Sequence, residues 1–263
     1  MRKPFIGLVM TLTFFIIIPL LLILLWSVVG RWPWPSLLPE SYQLRTVKEL
    51  VFGSHGLPRV LLSSLLLSSV VALLSTIIAL MASRAIEVQK VFGGTVLRFL
   101  SLLIFVVPAT VFAMGIHMFF VRHGLADRVI GVILVHLVMS LPYSMNILLD
   151  VTKAVGKDLE EQAISLGAHP FKAFFNTSLY ALIPGLLSSF SMAFIISYSQ
   201  YFTTLIIGGG SVKTIALVLI PYIQAGDRAL ASAFAVAFVG SAMVMFFILE
   251  YLIKKGGSYG SNR

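Results

Sequence analysis

Val60-Leu-Leu-Ser-Ser-Leu-Leu-Leu-Ser-Ser-Val-Val-Ala-Leu-Leu-Ser-Thr-Ile-Ile-Ala-Leu-Met-Ala-Ser83 contains no Asp, Glu, Lys or Arg. Such a run exceeds the roughly 20 apolar residues that cross a hydrocarbon core about 30 Å thick. A buried helix of a soluble domain needs about half that length. Charge-free windows also run Pro4–Gly30, Phe99–Val121, Val129–Leu149, Ala173–Val212 and Ala229–Leu249. Gly208, Gly209 and Gly210 interrupt the window that starts at Ala173, so it holds one crossing and the start of a loop.

The windows predict an all-α membrane protein with six transmembrane helices, at about Phe5–Val29, Pro58–Ala85, Leu97–Val121, Arg128–Asp150, Leu179–Ile207 and Ala229–Ile253. Residues 1–57 would hold the first span and an external segment, 58–253 a five-span core, and 254–263 a Gly/Ser-rich, disordered tail. Trp26, Trp32 and Trp34, with Pro33 and Pro35, suit a headgroup boundary. Arg2-Lys3 before an apolar run resembles a signal peptide, but the run is too long and lacks a small-x-small cleavage site, so it stays as a span.

Composition agrees. Of 263 residues, 59% are hydrophobic and only 11% charged, against about 25% in ordinary soluble domains. Mean hydropathy is +1.00. This excludes a soluble globular protein and a disordered chain, and the absence of cysteine excludes a disulfide scaffold. The net charge of +9 lies in short runs at span ends, which fits membrane lipid rather than nucleic acid. With both termini in the cytoplasm, the inside holds eleven of the 19 basic residues, the expected bias. There is no internal repeat of the kind that secondary carriers contain.

One loop, about 151–178, separates the fourth and fifth spans and holds Asp158-Leu-Glu-Glu-Gln-Ala-Ile-Ser-Leu-Gly-Ala-His-Pro-Phe-Lys172. Asp158, Glu160 and Glu161 are three of only ten acidic residues in the chain. Asp158 can cap a helix, with Glu161 completing a capping box. Gly167 can stop that helix, and Pro170 suits the first turn of a second one. Phe171, Phe174 and Phe175 give the second helix an apolar face. The loop therefore predicts two short helices across the membrane face, either a plain interfacial connector or a docking element.

The pattern Glu161-Gln162-Ala163, then Gly167-Ala168, then Pro184-Gly185, resembles the EAA loop of ABC importer permeases, the membrane subunits of binding-protein-dependent importers. Gln162 stands where that pattern has Ala, and Tyr180 where it usually has a proline. The resemblance implies a coupling helix that docks on an ATPase subunit, with Asp158, Glu161, Gln162, Ala163, Gly167, Ala168, Pro170 and Phe171 at the contact. It also implies two ABC ATPase subunits, a second permease (the same or a related chain), an external substrate-binding protein and an inner-membrane location. No cofactor is expected on this chain, with ATP and Mg on the partner ATPase. Polyamine permeases look most similar, then those for thiamine, ferric ion and oxyanions.

Other features carry less. Gly208–Thr214 lacks the P-loop glycine before its lysine and reads as a flexible external loop. The apolar stretch 214–223 is too short to span and is either re-entrant or interfacial. Pro19, Pro108, Pro142 and Pro184 could kink spans. Polar residues in spans are costly, so Tyr198, Gln200, Asn146 and His136 are candidates for a solute path; His117 is a weaker one. Serines such as Ser63, Ser64, Ser68, Ser69, Ser188 and Ser189 suit interhelical hydrogen bonds. No enzyme motif is present, and no acidic residue sits at the centre of a span. The alternatives are a self-sufficient secondary transporter or channel and an intramembrane protease.

Overall fold

A computed structural model describes residues 2–32, 39, 41, 42, 48, 50, 52 and 56–261. Pro33, Trp34, Pro35 and Arg45 lie outside the described residues. The chain forms two compact units, Met1–Ser63 with Lys213–Ala242, and Ser64–Val212 with Met243–Arg263.

In the first unit, α1 (Arg2–Trp26) carries Pro19 without a break in its helix. Its side chains from Met10 to Leu24 are mostly exposed and apolar. After it, β1 (Val29–Arg31) pairs antiparallel with β2 (Ser41–Tyr42), a short ribbon that the all-α expectation did not contain. Trp26 stacks edge-on against Trp32 at 6.3 Å, and the Arg228 guanidinium lies 5.7 Å from the Trp26 ring. These contacts anchor the ribbon at the helix end.

The second unit begins within α2 (Leu57–Glu87). The third expected span is broken. α3 (Gly94–Val106) and α4 (Ala109–Arg122) meet at a bend of 104°. Pro108 lacks an N–H and forces the preceding Val107 to extended angles, φ −86° and ψ 119°, so one helix cannot run through. Pro142 in α5 (Val129–Val155) is accommodated without a break.

The loop helices follow as α6 (Asp158–Ser165) and α7 (Pro170–Ala173). α7 is not a separate short helix. It passes through a π turn, Phe174–Ser178, into α8 (Leu179–Ser199). Residues 171–183 contain neither glycine nor proline, so helix propagation is favoured and the surplus residue is absorbed as a wide turn. Tyr180, in place of a proline, retains its backbone N–H for this run. The fifth span ends earlier than expected, because Gln200 is extended (φ −71°, ψ 110°) and α9 (Phe202–Gly208) restarts after it.

The loop after α9 is held to α5's start by hydrogen bonds. Asp127 N–H donates to the Ile207 carbonyl at 2.8 Å, and the Ser211 hydroxyl donates to the carbonyls of Asp127 and Gly208. Gly209 adopts φ +49° with the Asp127 carboxylate where a Cβ would lie, so any other residue there would be strained and would displace that carboxylate. In the first unit, α10 (Ile215–Gln224) is capped by Thr214 and buries Ile215, Ala216 and Val218. Tyr222 stacks on Phe234 of α11 (Arg228–Ser261) at 5.2 Å. α11 continues as helix through Ser261, where the Gly/Ser-rich composition predicted disorder; extending an existing helix is far easier than nucleating one.

Four stretches are long and apolar enough to cross a membrane: α2, α5, the run Pro170–Ser199, and Arg228–Tyr251. The bent α3/α4 pair would make a fifth. The second unit is held by apolar packing of Leu67, Val71, Phe120, Val132, Val135 and Ile207, and by a second cluster of Ala79, Met145, Leu148 and Leu149.

α5 and α8 pack closely because Gly185 lets them approach. A Cβ there would lie 2.7 Å from Val151 Cγ1. Gly185→Val should destabilise the unit by about 1–3 kcal/mol, read as a lowered thermal midpoint of the detergent-solubilised chain with insertion unchanged.

Candidate functional site

The loop hairpin is built by its own chemistry. Lys157, not Asp158, occupies the cap position of α6, and it makes no side-chain cap, so the expected capping box does not form. Asp158, Glu160 and Glu161 instead fill the first turn, where the helix dipole favours carboxylates. The Lys157 ammonium donates to Glu161 at 2.5 Å. This pairing, first by hydrogen bond and then by charge, pushes the Lys157 pKa up. Both side chains are exposed, so the pair contributes little stability.

The C-terminal end of α6 closes as a Schellman motif. Ala168 N–H donates to the Ala163 carbonyl at 3.0 Å, and Gly167 N–H to the Ile164 carbonyl at 2.9 Å. Gly167 takes φ +91°, as that motif requires. Pro170 opens α7 and the His169 ring nitrogen accepts the Phe171 N–H at 3.3 Å.

The expected contact residues therefore share one element. Asp158, Glu161 and Gln162, with Ser165 and Leu166, line a depression of about 520 Å³. Leu166 is 89% and Phe171 66% exposed at the turn between the helices. Ala163 and Ala168 are half-buried beneath them. Exposed apolar side chains beside acidic ones suit a protein partner.

Two residues outside that set fix the hairpin. The Arg84 guanidinium at the end of α2 donates to both carboxylate oxygens of Glu160, at 2.7 and 2.9 Å. Its Cζ also lies 4.1 Å from the centroid of Phe174 in the π turn. Arg84 thus holds both limbs of the hairpin in one planar fork. The side chains are 19% and 12% exposed, which places the pair at about 2 kcal/mol, between surface and buried ion pairs. The signal available in sequence was the doubled glutamate, with a lone arginine closing an otherwise charge-free window.

The candidate path residues do not share one environment. His136 is fully buried, with Nδ1 3.0 Å from the Ser197 hydroxyl and Nε2 3.0 Å from that of Thr204. Tyr198 is 3% exposed and stacks on Phe194 at 5.3 Å. Both lie inside the unit. Asn146 is half-buried and donates to the Pro142 carbonyl at 2.9 Å. Gln200 is half-buried at the break between α8 and α9, accepting from the Thr203 hydroxyl at 3.0 Å.

His136 belongs to a polar seam among α2, α5, α8 and α9. Ser83 meets Thr152 at 3.0 Å, Ser75 meets Ser144 at 3.1 Å, Thr76 meets Ser189 at 3.4 Å, and Ser197 meets Ser68 at 3.3 Å. Such pairs hold helices together where lipid offers no hydrophobic drive, at about 0.6 kcal/mol each. Outside the seam, Ser188, Ser191, Met192 and Ile195 of α8 line a groove of about 450 Å³ with Ile147, Phe246, Leu249 and Glu250.

Hydrogen bonding to Arg84 is the main influence that holds the Glu160 carboxyl below its ordinary 4.5, against burial and with help from Ser178. A depressed carboxylate pKa stabilises fully above the ordinary range and is lost as pH falls through the folded value. Amide exchange over residues 158–178, corrected for intrinsic rates, should stay flat from about pH 8 to about pH 5 and rise below about pH 4.

Comparison with known proteins gives the family. The chain is 25% identical over 228 residues to the ferric transport system permease protein FbpB of Actinobacillus pleuropneumoniae, covering 78% of this chain and 31% of that protein. It is 24% identical to the putrescine transport system permease protein PotI of Escherichia coli, over 49% of this chain and 47% of that one. The molybdate/tungstate transport system permease protein WtpB of Pyrococcus abyssi is 25% identical, over 74% and 78%. The chain thus spans about a third to a half of the first two relatives. The family model for the binding-protein-dependent transport system inner membrane component matches residues 75–255, well over half of the chain, and the protein belongs to that family.

Proposed function

We propose that this chain is a permease subunit of an ATP-driven importer, forming part of the solute path and coupling it to ATPase subunits through the Glu161–Gly167 loop. The observation that carries the reading is the hairpin. It is rooted in a membrane-crossing helix through α7 and the π turn, pinned from inside by Arg84, and open at its tip. Such an element passes a push at the tip to the helices behind it as a rigid body.

In this reading the chain crosses the membrane six times, by α1, α2, the α3/α4 pair, α5, α8 and α11, with the hairpin and both termini in the cytoplasm. Asp158, Glu161, Gln162, Ala163, Gly167, Ala168, Pro170 and Phe171 meet the ATPase. ATP and Mg act there, and this chain is not catalytic. Two ATPase subunits, a second permease and an external binding protein complete the importer. The solute path follows Asn146, Gln200 and the exposed serines of α8, while His136 and Tyr198 support it from within. The solute is of the kinds its relatives' names give: a polyamine, ferric iron or an oxyanion.

Purification of the tagged chain in mild detergent should bring a stoichiometric P-loop ATPase with it; a homogeneous complex without one would refute the reading. The space beside Gly167 is open, so Gly167→Asp meets only a left-handed backbone penalty of about 1–2 kcal/mol. That variant and Leu166→Asp should insert normally, lose ATPase recovery by at least about tenfold, and abolish uptake.

A further inference from the structure

We propose that Arg84 and Glu160 form a latch that makes α2 move with the hairpin, carrying the ATPase stroke to a span outside the two that flank the loop. The proposal rests on the importer reading above. Covalently, the hairpin is joined only to α5 and α8, one before it and one after it. Arg84 closes α2 and reaches both of its limbs, bonding Glu160 in α6 with two hydrogen bonds and stacking over Phe174 in the π turn.

The geometry resists shear. A single hydrogen bond lets two elements pivot, whereas two parallel bonds in the guanidinium plane, with an aromatic ring against its face, fix direction as well as distance. Just inside the latch, Ser83 bonds Thr152 of α5, and two turns back along α2 Thr76 meets Ser189 of α8, so α2 is fastened to the spans on both sides of the hairpin root. Glu160 differs in this from its neighbour Glu161, whose carboxylate is 56% exposed and, among the described residues, pairs with Lys157 at the cap of the same helix. The two adjacent glutamates divide the work: Glu161 faces outward to the partner and Glu160 inward to α2. Both are positioning residues in transport, but only Glu160 acts through another span.

The test uses the full chain with its co-purified ATPase in lipid nanodiscs. The chain has no cysteine, so nitroxides can be placed at Leu73→Cys, exposed on α2, and Lys172→Cys, exposed on α7. The distance between them is compared without nucleotide and after ATP–vanadate trapping. With the latch intact, the distribution should be narrow and the same in both states. In Arg84→Ala and Glu160→Ala it should broaden, and trapping should shift it by a few ångströms while the ATPase stays bound and hydrolyses ATP. The Arg84→Glu/Glu160→Arg double variant should recover part of the invariance, which a residue needed only for folding would not do. Arg84→Lys, which keeps charge but loses the fork, should fall between and serves if an alanine variant does not insert.

A distance that changes on trapping with the latch intact would overturn the proposal. So would single variants that keep the invariance, or a charge reversal without rescue. Failure of any ATPase to co-purify with the unsubstituted chain would instead overturn the importer reading, and the latch with it.

Discussion

The arrangement depends on a guanidinium held between a carboxylate and an aromatic ring. Arg84 lies 76 positions before Glu160, while Glu160 and Phe174 sit on the two limbs of one hairpin, so the contact joins a distant helix to a local one. α6 is an eight-residue helix with no buried residue, too short to be stable by itself; its Schellman turn and its continuation into α7 hold its form, and Arg84 ties it to α2. The low exposure of the ion pair shields it from solvent, while its place at the end of α2 spares it the full desolvation cost of the membrane interior. That boundary is where an ion pair can be both strong and affordable.

Behind it, cohesion comes from hydroxyls. Ser68 and Ser75, and likewise Thr76 and Ser83, are two turns apart on α2, so they form two adjacent rows that meet Ser197 and Ser144, and Ser189 and Thr152. Small side chains let the helices approach, and the hydroxyls then find partners that lipid could not provide. His136 completes the same seam. Its two ring nitrogens between Ser197 and Thr204 make it a joint between α8 and α9 at the point where the helix is interrupted.

Much of the helical architecture was legible because lipid punishes charge, so gaps between charged residues mark the four stretches long and apolar enough to cross and the bent pair that would make a fifth. The Schellman turn at Gly167 was legible too, since few residues accept its backbone angles. Less visible were features that depend on what lies across space. The break at Val107–Pro108 and the smooth passage at Pro142 differ in tertiary surroundings, and proline alone does not distinguish them. The capping box failed because Lys157 took the cap position and engaged Glu161. The three glycines of the loop after α9 gave no sign of the hydrogen bonds that Asp127 and Ser211 make there. Glu160 escaped notice among contact residues because its role is set by an arginine 76 positions earlier. The buried state of His136 and Tyr198 was hidden for the same reason.

The π turn has an effect beyond joining two helices. An ordinary helix advances about 100° per residue, so the surplus residue in Phe174–Ser178 offsets everything after it by about that angle relative to everything before. The wide turn therefore works as a phase shifter: it sets which side of α8 faces α5 and which carries the groove at Ser188 and Ser191. The azimuth of the span relative to the hairpin is thus set by where the wide turn falls in the chain. The hairpin and the groove would then be related by an angle as well as by a distance.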